Sequence, residues 1–250
     1  MVKSSQLIEK VRQSGKILSE VLRVLAKSAG VGAKLSHLDK LAQELILKAG
    51  AQPVFLGYHP YGARVPYPAT ICASVNDVIV HGIPGNYRLK SGDLLKIDAG
   101  VDWHGGISDS AITLPIGKVS DKSKKLMETA KLALQEGIRV AKAGNTLGDI
   151  GHAIESTVKK AGFFVVDGLT GHGVGEELHE DPVVYNYGKR GAGIKLREGM
   201  ILALEPMIST DTPKIVQLKD DSYATADGSM SAHFEHTILI KKGGAEILTG

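Results

Sequence analysis

Four carboxylates stand at places where an acid is hard to leave alone. Asp98 follows the apolar run Leu94-Leu95-Lys96-Ile97, and Asp109 precedes Ala111-Ile112-Thr113-Leu114. Between them Trp103-His104-Gly105-Gly106 has the composition of a turn. A hairpin centred on Trp103-His104 sets Asp98 directly opposite Asp109, about 5 Å apart at Cβ. Two like charges that close repel unless a cation or a proton lies between them. Glu205 ends a second apolar run, Met200-Ile201-Leu202-Ala203-Leu204, and Glu235 sits inside Phe234-Glu235-His236-Thr237-Ile238-Leu239-Ile240. An acid in so apolar a run is costly unless paired. Taken singly, each would pass for a solvated turn acid. Together, at the ends of matching strands, they point to a divalent-metal site with two ions rather than one.

Histidines supply the second donor type. His81, His104 and His172 are each followed by glycine, and His179 follows His172 in Gly171-His172-Gly173-Val174-Gly175-Glu176-Glu177-Leu178-His179. This glycine-broken spacing is not a helical zinc motif such as HExxH. It still brings two imidazoles to one cavity from a loop and a strand end. One imidazole among several carboxylates suits Mn, Fe or Co, with Zn or Ni as further candidates. His37, His59 and His152 read as structural, His104 as a turn residue, and His236, next to Glu235, as a residue on the opposite strand face.

The elements that must hold these residues are legible in the hydrophobic pattern. Residues 4–28 form an amphipathic stripe of Leu7, Val11, Leu18, Val21, Leu22 and Leu25. Ser36, with Asp39 three residues on, is the expected N-cap of a second helix ending at Lys48-Ala49-Gly50. Strands are expected at Ile71–Val75, Val78–His81 and Leu94–Ile97, after a proline-rich loop over 51–70. The order then recurs. A long helix is expected over 121–143, another from Thr146 to Gly162, and strands at Phe163–Val166, Met200–Leu204 and Phe234–Ile240. Lys160-Ala161-Gly162 repeats Lys48-Ala49-Gly50, and the same shift carries Leu35 onto Leu147, Leu38 onto Ile150 and Ile46 onto Val158. Similarly, Ser91-Gly92-Asp93 through Asp98 resembles Glu198-Gly199-Met200 through Glu205, so Asp98 falls on Glu205. The expectation is one domain spanning residues 1–250, built from related halves of roughly 1–118 and 119–250.

Composition narrows the function class. The chain has 250 residues, 43% hydrophobic and 23% charged, which suits a globular core and excludes a disordered chain or a coiled coil. No apolar run is long enough for a membrane span, and the charged N-terminal pattern has no signal-peptide core. Cys72 is the single cysteine, so neither a disulfide nor a cysteine-cage zinc site can form within the chain. The cytoplasm is the expected compartment. A net charge of +3 is too mild and dispersed to argue for nucleic acid.

With these residues in view, the chain resembles a known family. Ser74-Val75-Asn76-Asp77-Val78-Ile79-Val80-His81-Gly82-Ile83-Pro84, Asp98 with Asp109, Gly171-His172-Gly173-Val174-Gly175, Glu205-Pro206-Met207 and Glu235-His236-Thr237 resemble, in order and spacing, the type I methionine aminopeptidases. The resemblance implies an α+β pseudo-twofold "pita-bread" fold, a curved antiparallel sheet with helices outside, and a monomer acting on the N-termini of nascent polypeptides. It implies two divalent ions held by Asp98, Asp109, His172, Glu205 and Glu235. Asp109 and Glu235 would bridge them, Asp98 would bind one ion, and His172 with Glu205 the other. A water activated between the ions would attack the first peptide carbonyl, and Glu205 would take its proton. His179 would steady the oxyanion and His81 the scissile or leaving nitrogen. Cys72, Tyr58 and His59 match the pocket for the methionine side chain, with Tyr61 adding to it. Asn76, Val78 and Ser231 match positions that hold a monovalent cation, Na⁺ or K⁺, in many relatives.

Departures from the pattern are a longer loop from Tyr58 to Cys72, no Trp between the distal glutamates, where Asp221-Ser222-Tyr223-Ala224-Thr225-Ala226 stands, and His233 in a place often held by Gln. An Xaa-Pro peptidase of the same fold usually carries a large N-terminal domain, for which the residues before Leu35 are too few. The type II methionine enzymes insert a subdomain between the second His and the first Glu, and His179 to Glu205 leaves no room for one. A binding protein on this fold would have lost ligands that are all kept here. The cluster Lys122-Ser123-Lys124-Lys125 is expected to be a solvated helix face, with a transient ribosome contact as its functional alternative.

Overall fold

The structure is a computed structural model that describes residues 2–59 and 64–250. The first half of the chain forms α1 (Ser5–Ser28), α2 (Leu35–Lys48), β1 (Gln52–Pro53), β2 (Ile71–Val75), β3 (Val78–Val80), β4 (Leu94–Trp103) and β5 (Gly106–Pro115). The second forms α3 (Asp121–Val140), α4 (Leu147–Lys160), β6 (Phe164–Val165), β7 (Thr170–Gly173), β8 (Glu180–Tyr185), β9 (Ile201–Leu204) and β10 (Met207–Ser209). It continues with β11 (Ile215–Gln217), β12 (Tyr223–Thr225), β13 (Ser231–His233), β14 (His236–Ile240) and β15 (Ala245–Ile247). Two helices followed by antiparallel strands thus occur twice, as the repeat predicts.

Each helix pair buries its stripe on its own strands. Leu18, Leu22 and Leu25 of α1 and Leu38 and Ile46 of α2 pack with Ile71, Leu95 and Ile97. Leu126 and Leu134 of α3 and Ile150 and Ile154 of α4 pack with Leu202, Leu204 and Ile238. A third cluster joins the halves, where Leu7 and Val11 meet Ile107, Ile201 and Leu239. Burying a Leu or Ile side chain contributes roughly 1.5–3 kcal/mol, so these stripes explain why the strands of each half are covered by that half's helices. Thr146 caps α4 in a full capping box with Asp149.

The expected cap at Ser36 is not formed. The second helix starts two residues earlier, with Lys34 at its N-cap and no side-chain capping bond. Asp39 instead accepts the backbone N–H groups of Thr70 (2.8 Å) and Ile71 (3.1 Å), anchoring the start of β2. The carboxylate found a better use outside its own helix.

The two halves are laced together by crossed hydroxyls. The Thr113 hydroxyl on β5 donates to the His233 carbonyl (2.6 Å) and accepts from the His233 N–H (2.9 Å). Thr237 on β14 does the same for Asp109, donating to its carbonyl (2.8 Å) and accepting from its N–H (2.9 Å). Between them the Glu235 N–H donates to the Ala111 carbonyl (2.9 Å), and the Ser110 hydroxyl donates to the Glu235 carbonyl (2.7 Å). The backbone carrying two of the sequence-selected acids is therefore held from the opposite half in each case.

Candidate metal centre

Asp98 and Asp109 share the β4–β5 hairpin, but their register differs from the expected one. The turn is His104-Gly105, Trp103 pairs with Gly106, Asp98 lies opposite Ala111, and Asp109 opposite Gly100. The two acids are diagonal rather than directly opposed. A two-residue slip keeps both on one face, because side chains alternate with period two. Asp98 also lies in the interior of a ten-residue strand rather than at its end.

Glu205 follows β9 directly, and Glu235 lies in the single step between β13 and β14. His172 sits in β7, where its flanking glycines have a steric cause. A Cβ on Gly171 would lie 2.3 Å from the Ala203 carbonyl oxygen, and one on Gly173 2.4 Å from that of Asp181. The strand can approach its neighbours that closely only without side chains on either side of His172.

The side chains converge. His172 Nε2 lies 3.4 Å from Glu205 Oε1 and 3.8 Å from Asp109 Oδ2. His172 Nδ1 bonds the Gly173 carbonyl at 2.9 Å, so it carries the proton. The Nε2 lone pair is left facing the acids, the tautomer a metal ligand needs. Asp109, His172 and Glu235 form one group of donors spaced for a cation, and Glu205, His233 and Glu235 form another. Asp98 Oδ1, Asp109 Oδ1 and Glu235 Oε1 are buried without a hydrogen-bond partner among the described residues. Buried carboxylate oxygens without donors call for a cation, so the residues fit the divalent ions implied.

Electrostatics agree. Burial and the neighbouring acids push Asp109 and Glu235 well above the usual carboxylate range, and burial does the same to Glu205. Burial, with a Glu205 contribution opposed by His233, brings Asp98 to about 7. His172 is lowered to about 3 and His233 to about 4, chiefly by burial, so both rings are neutral near pH 7.

The group lies at the floor of a cavity of about 1300 Å³. His81 and His179 both line it. His81 follows β3 in a left-handed conformation, φ +61°, and packs edge-on against Tyr223 with ring centres 5.8 Å apart. His179 stacks edge-on to His172 at 4.5 Å, and its Nδ1 shares a 2.7 Å hydrogen bond with the Tyr58 hydroxyl. Cys72 is buried, directly opposite Asp98 across β2 and β4. Phe55, Tyr67 and Tyr223 add apolar wall, and acids at the rim outnumber the two cations Arg64 and Lys219.

Of the pocket residues expected, Tyr58 and Cys72 line this cavity. His59 is exposed and does not appear in its lining, and Tyr61 lies outside the described residues. Tyr67 and Tyr223 were missed. Tyr223 falls in the segment that replaces the expected Trp, which was the available signal. His233 was noted only as a departure, yet its ring faces the centre, with Nε2 3.5 Å from Glu205 Oε2 and 3.9 Å from Glu235 Oε2. Its position two residues before Glu235 on an alternating strand was the clue. His236 turns away and bonds Thr249 Oγ1 at 3.0 Å, as expected for the opposite face.

The oxygens expected to hold a monovalent cation meet a side chain of the protein itself. Asn76 and Ser231 do present oxygens to one point, but the Lys96 ammonium already sits there. It donates to the Asn76 carbonyl (2.6 Å), the Ser231 hydroxyl (3.1 Å) and the Ser231 carbonyl (3.4 Å). The Val78 carbonyl accepts from the Ser231 hydroxyl, at 3.4 Å. In the basic cluster, Lys122 pairs with Asp211, Lys124 with Asp121, and Lys125 donates to the Ala161 carbonyl.

Buried acids and imidazoles from both halves of an antiparallel α+β frame, at the base of an open cavity, define a metallohydrolase of the pita-bread class. Comparison narrows it. Metallopeptidase family M24 matches residues 9–242. Methionine aminopeptidase of Clostridium acetobutylicum is 42% identical, covering 100% of this chain and 98% of its own. Methionine aminopeptidase 1 of Bacillus subtilis is 42% identical, covering 96% and 94%. A solved methionine aminopeptidase from Thermotoga maritima superposes with TM-score 0.95 at 39% identity, covering 100% and 98%. Prolidase from Pyrococcus furiosus, at 22% identity and TM-score 0.78, shares the fold, with 65% of its length covered. The chain belongs to metallopeptidase family M24 and, within it, to the type I methionine aminopeptidases.

Proposed function

We propose that this protein removes the N-terminal methionine from nascent polypeptides when the second residue is small. The observation that carries this reading is buried Asp109, His172, Glu205 and Glu235 with half-buried Asp98, lining one cavity together with His81 and His179. Asp98, Asp109, His172, Glu205 and Glu235 would hold two divalent ions, with Asp109 and Glu235 shared between them. Mn, Fe and Co suit this oxygen-rich set, Zn and Ni less closely. When bound, the ions supply an activated water and polarise the first peptide carbonyl.

The chain's own groups do the rest. Glu205, raised well above its ordinary range by burial, is suited to take and return a proton. With Tyr58 as donor to His179 Nδ1, the His179 proton would sit on Nε2 and could be given to the developing oxyanion. His81, held neutral by its surroundings with its pKa lowered to about 4, would contact the scissile or departing nitrogen. The acidic rim attracts the substrate's α-ammonium, which favours cleavage at the first peptide bond. Cys72, Tyr67, Phe55 and Tyr223 give the methionine side chain an apolar wall.

None of the described helices is long and apolar enough to cross a membrane; we read the protein as a cytoplasmic monomer. We read residues 1–250 as one catalytic domain of two related halves. Cleavage of Met-Ala-Ser by metal-stripped protein, with and without Mn²⁺ or Co²⁺, tests the reading beside Ala-Pro and Met-Lys controls. Metal-dependent release of Met from Met-Ala-Ser alone is expected. Cleavage of Ala-Pro instead, or no release by folded, loaded protein, overturns it.

A further inference from the structure

Lys96 is among the most completely buried side chains of the protein, 1% exposed, in a strand that is otherwise apolar on either side of it. It lies two residues before Asp98 and so shares its face of β4, opposite Ser74 of β2 and Thr113 of β5. Its ammonium meets two carbonyl oxygens and one hydroxyl oxygen, from the turn after β2 and from β13. The three protons of the ammonium match those three acceptors. Burial lowers its pKa to about 7, and Asp77 and Asp93, as longer-range charges, favour the ammonium. A point enclosed by neutral oxygens, without a carboxylate in contact, suits a monovalent cation rather than a divalent one.

The contacts are strong for neutral acceptors. The Asn76 carbonyl takes Lys96 Nζ at 2.6 Å together with the Ser231 hydroxyl at 2.8 Å and the Ser231 N–H at 3.1 Å. Three donors on one carbonyl draw it toward positive charge. Asn76 itself is in the left-handed region, φ +56°. Its side chain is pinned by Asp93 Oδ1 (3.0 Å) and the Leu94 N–H (2.9 Å), so the carbonyl is aimed and held. Both chain segments lead directly to the site: Asn76 precedes β3 and His81, and Ser231 begins the strand that delivers His233 and then Glu235.

We propose that the Lys96 ammonium is a tethered monovalent cation, which joins the His81-bearing and Glu235-bearing segments and makes this enzyme independent of free Na⁺ or K⁺. A free ion has no place while the side chain is present, because the oxygens that would bind it are already the ammonium's acceptors. Lys96 is a positioning residue here, since it touches no reacting atom. Removing the side chain, while leaving the oxygens, should convert a built-in cation into a required one.

The test compares wild type, Lys96→Ser and Lys96→Met, equally loaded with divalent metal, in choline chloride, NaCl and KCl at one ionic strength. Two readouts are taken, the unfolding temperature and Met release from Met-Ala-Ser. Only the second rests on the aminopeptidase reading, so failure of that reading leaves the first intact. Wild type should be indifferent to the cation in both. Lys96→Ser, which opens the space, should unfold at lower temperature in choline. K⁺ or Na⁺ should restore it dose-dependently and raise Met release about tenfold. Lys96→Met, which fills the space with a neutral chain, should stay impaired in every salt. A wild type that responds to K⁺ or Na⁺ as strongly as the variant overturns the proposal, as does a folded Lys96→Ser blind to both ions. Should Lys96→Ser fail to fold in any salt, Lys96→Asn is read by the same criteria.

Discussion

Loading the metal-stripped protein with divalent ions should expel protons in measurable number. Without metal, Asp109, Glu205 and Glu235 sit well above their ordinary range and Asp98 titrates at about 7. His172 and His233, lowered to about 3 and 4, hold no extra proton near pH 7. The protons in question therefore belong to the four carboxylates. Each proton bound relieves its neighbours, so the acids titrate as a coupled group and hold protons at pH 7. Two bound cations ionise all four and release them. Apparent affinity should then fall about tenfold per pH unit below 7 for each proton released, about 1.4 kcal/mol per proton. The assay is titration calorimetry with Mn²⁺ in buffers of different ionisation enthalpy, where the slope of observed heat counts the protons. No dependence on the buffer, or binding that tightens as pH falls, would refute the reasoning. The linkage also fixes a sign for the metal-free protein. These folded pKa values are raised, so the stability contribution is complete below about 4 and is lost as pH rises through 7.

His81→Ala and His179→Ala should each keep the full metal content by elemental analysis and lose roughly 10²–10³ in Met release; loss of metal in either would remove it from the assigned role. Thr113→Val and Thr237→Val each leave a buried N–H and a buried carbonyl, those of His233 and Asp109, without their hydroxyl partner. Denaturant unfolding should show a cost of roughly 2–4 kcal/mol apiece, and a cost under about 0.5 kcal/mol would mean the halves are held otherwise. Glu246 is lowered to about 2, mainly by Arg12 and then Lys241. Its contribution to stability is present above about 4.5 and disappears as pH falls toward 2, so Glu246→Gln should lower the unfolding temperature at pH 7 and not at pH 2.

Much of the site was legible because each acid broke an apolar run of strand character. Periodicity assigns a face without requiring the register, which is why Asp98 and Asp109 converge although the hairpin turns at His104-Gly105 rather than one residue earlier. The helices were legible for the same reason, since stripes such as Leu18, Leu22 and Leu25 need only a partner sheet. The cap at Ser36 failed because Asp39 had a competing use at the start of β2, and such competition is decided between elements distant in sequence.

From sequence alone followed the pairing of helices and strands in two related halves, the acids and imidazoles on inward-facing positions, and the metal chemistry they support. These are local matters of residue type and spacing. Only the tertiary structure decided what fills the space between the halves. It crossed Thr113 with His233 and Thr237 with Asp109, turned the His233 ring toward Glu205 and Glu235, and brought Lys96 to oxygens of Asn76 and Ser231. Ser231 lies 135 residues from Lys96 along the chain. No local pattern encodes which buried oxygens will meet a buried ammonium, because that depends on how two sheets close over one another.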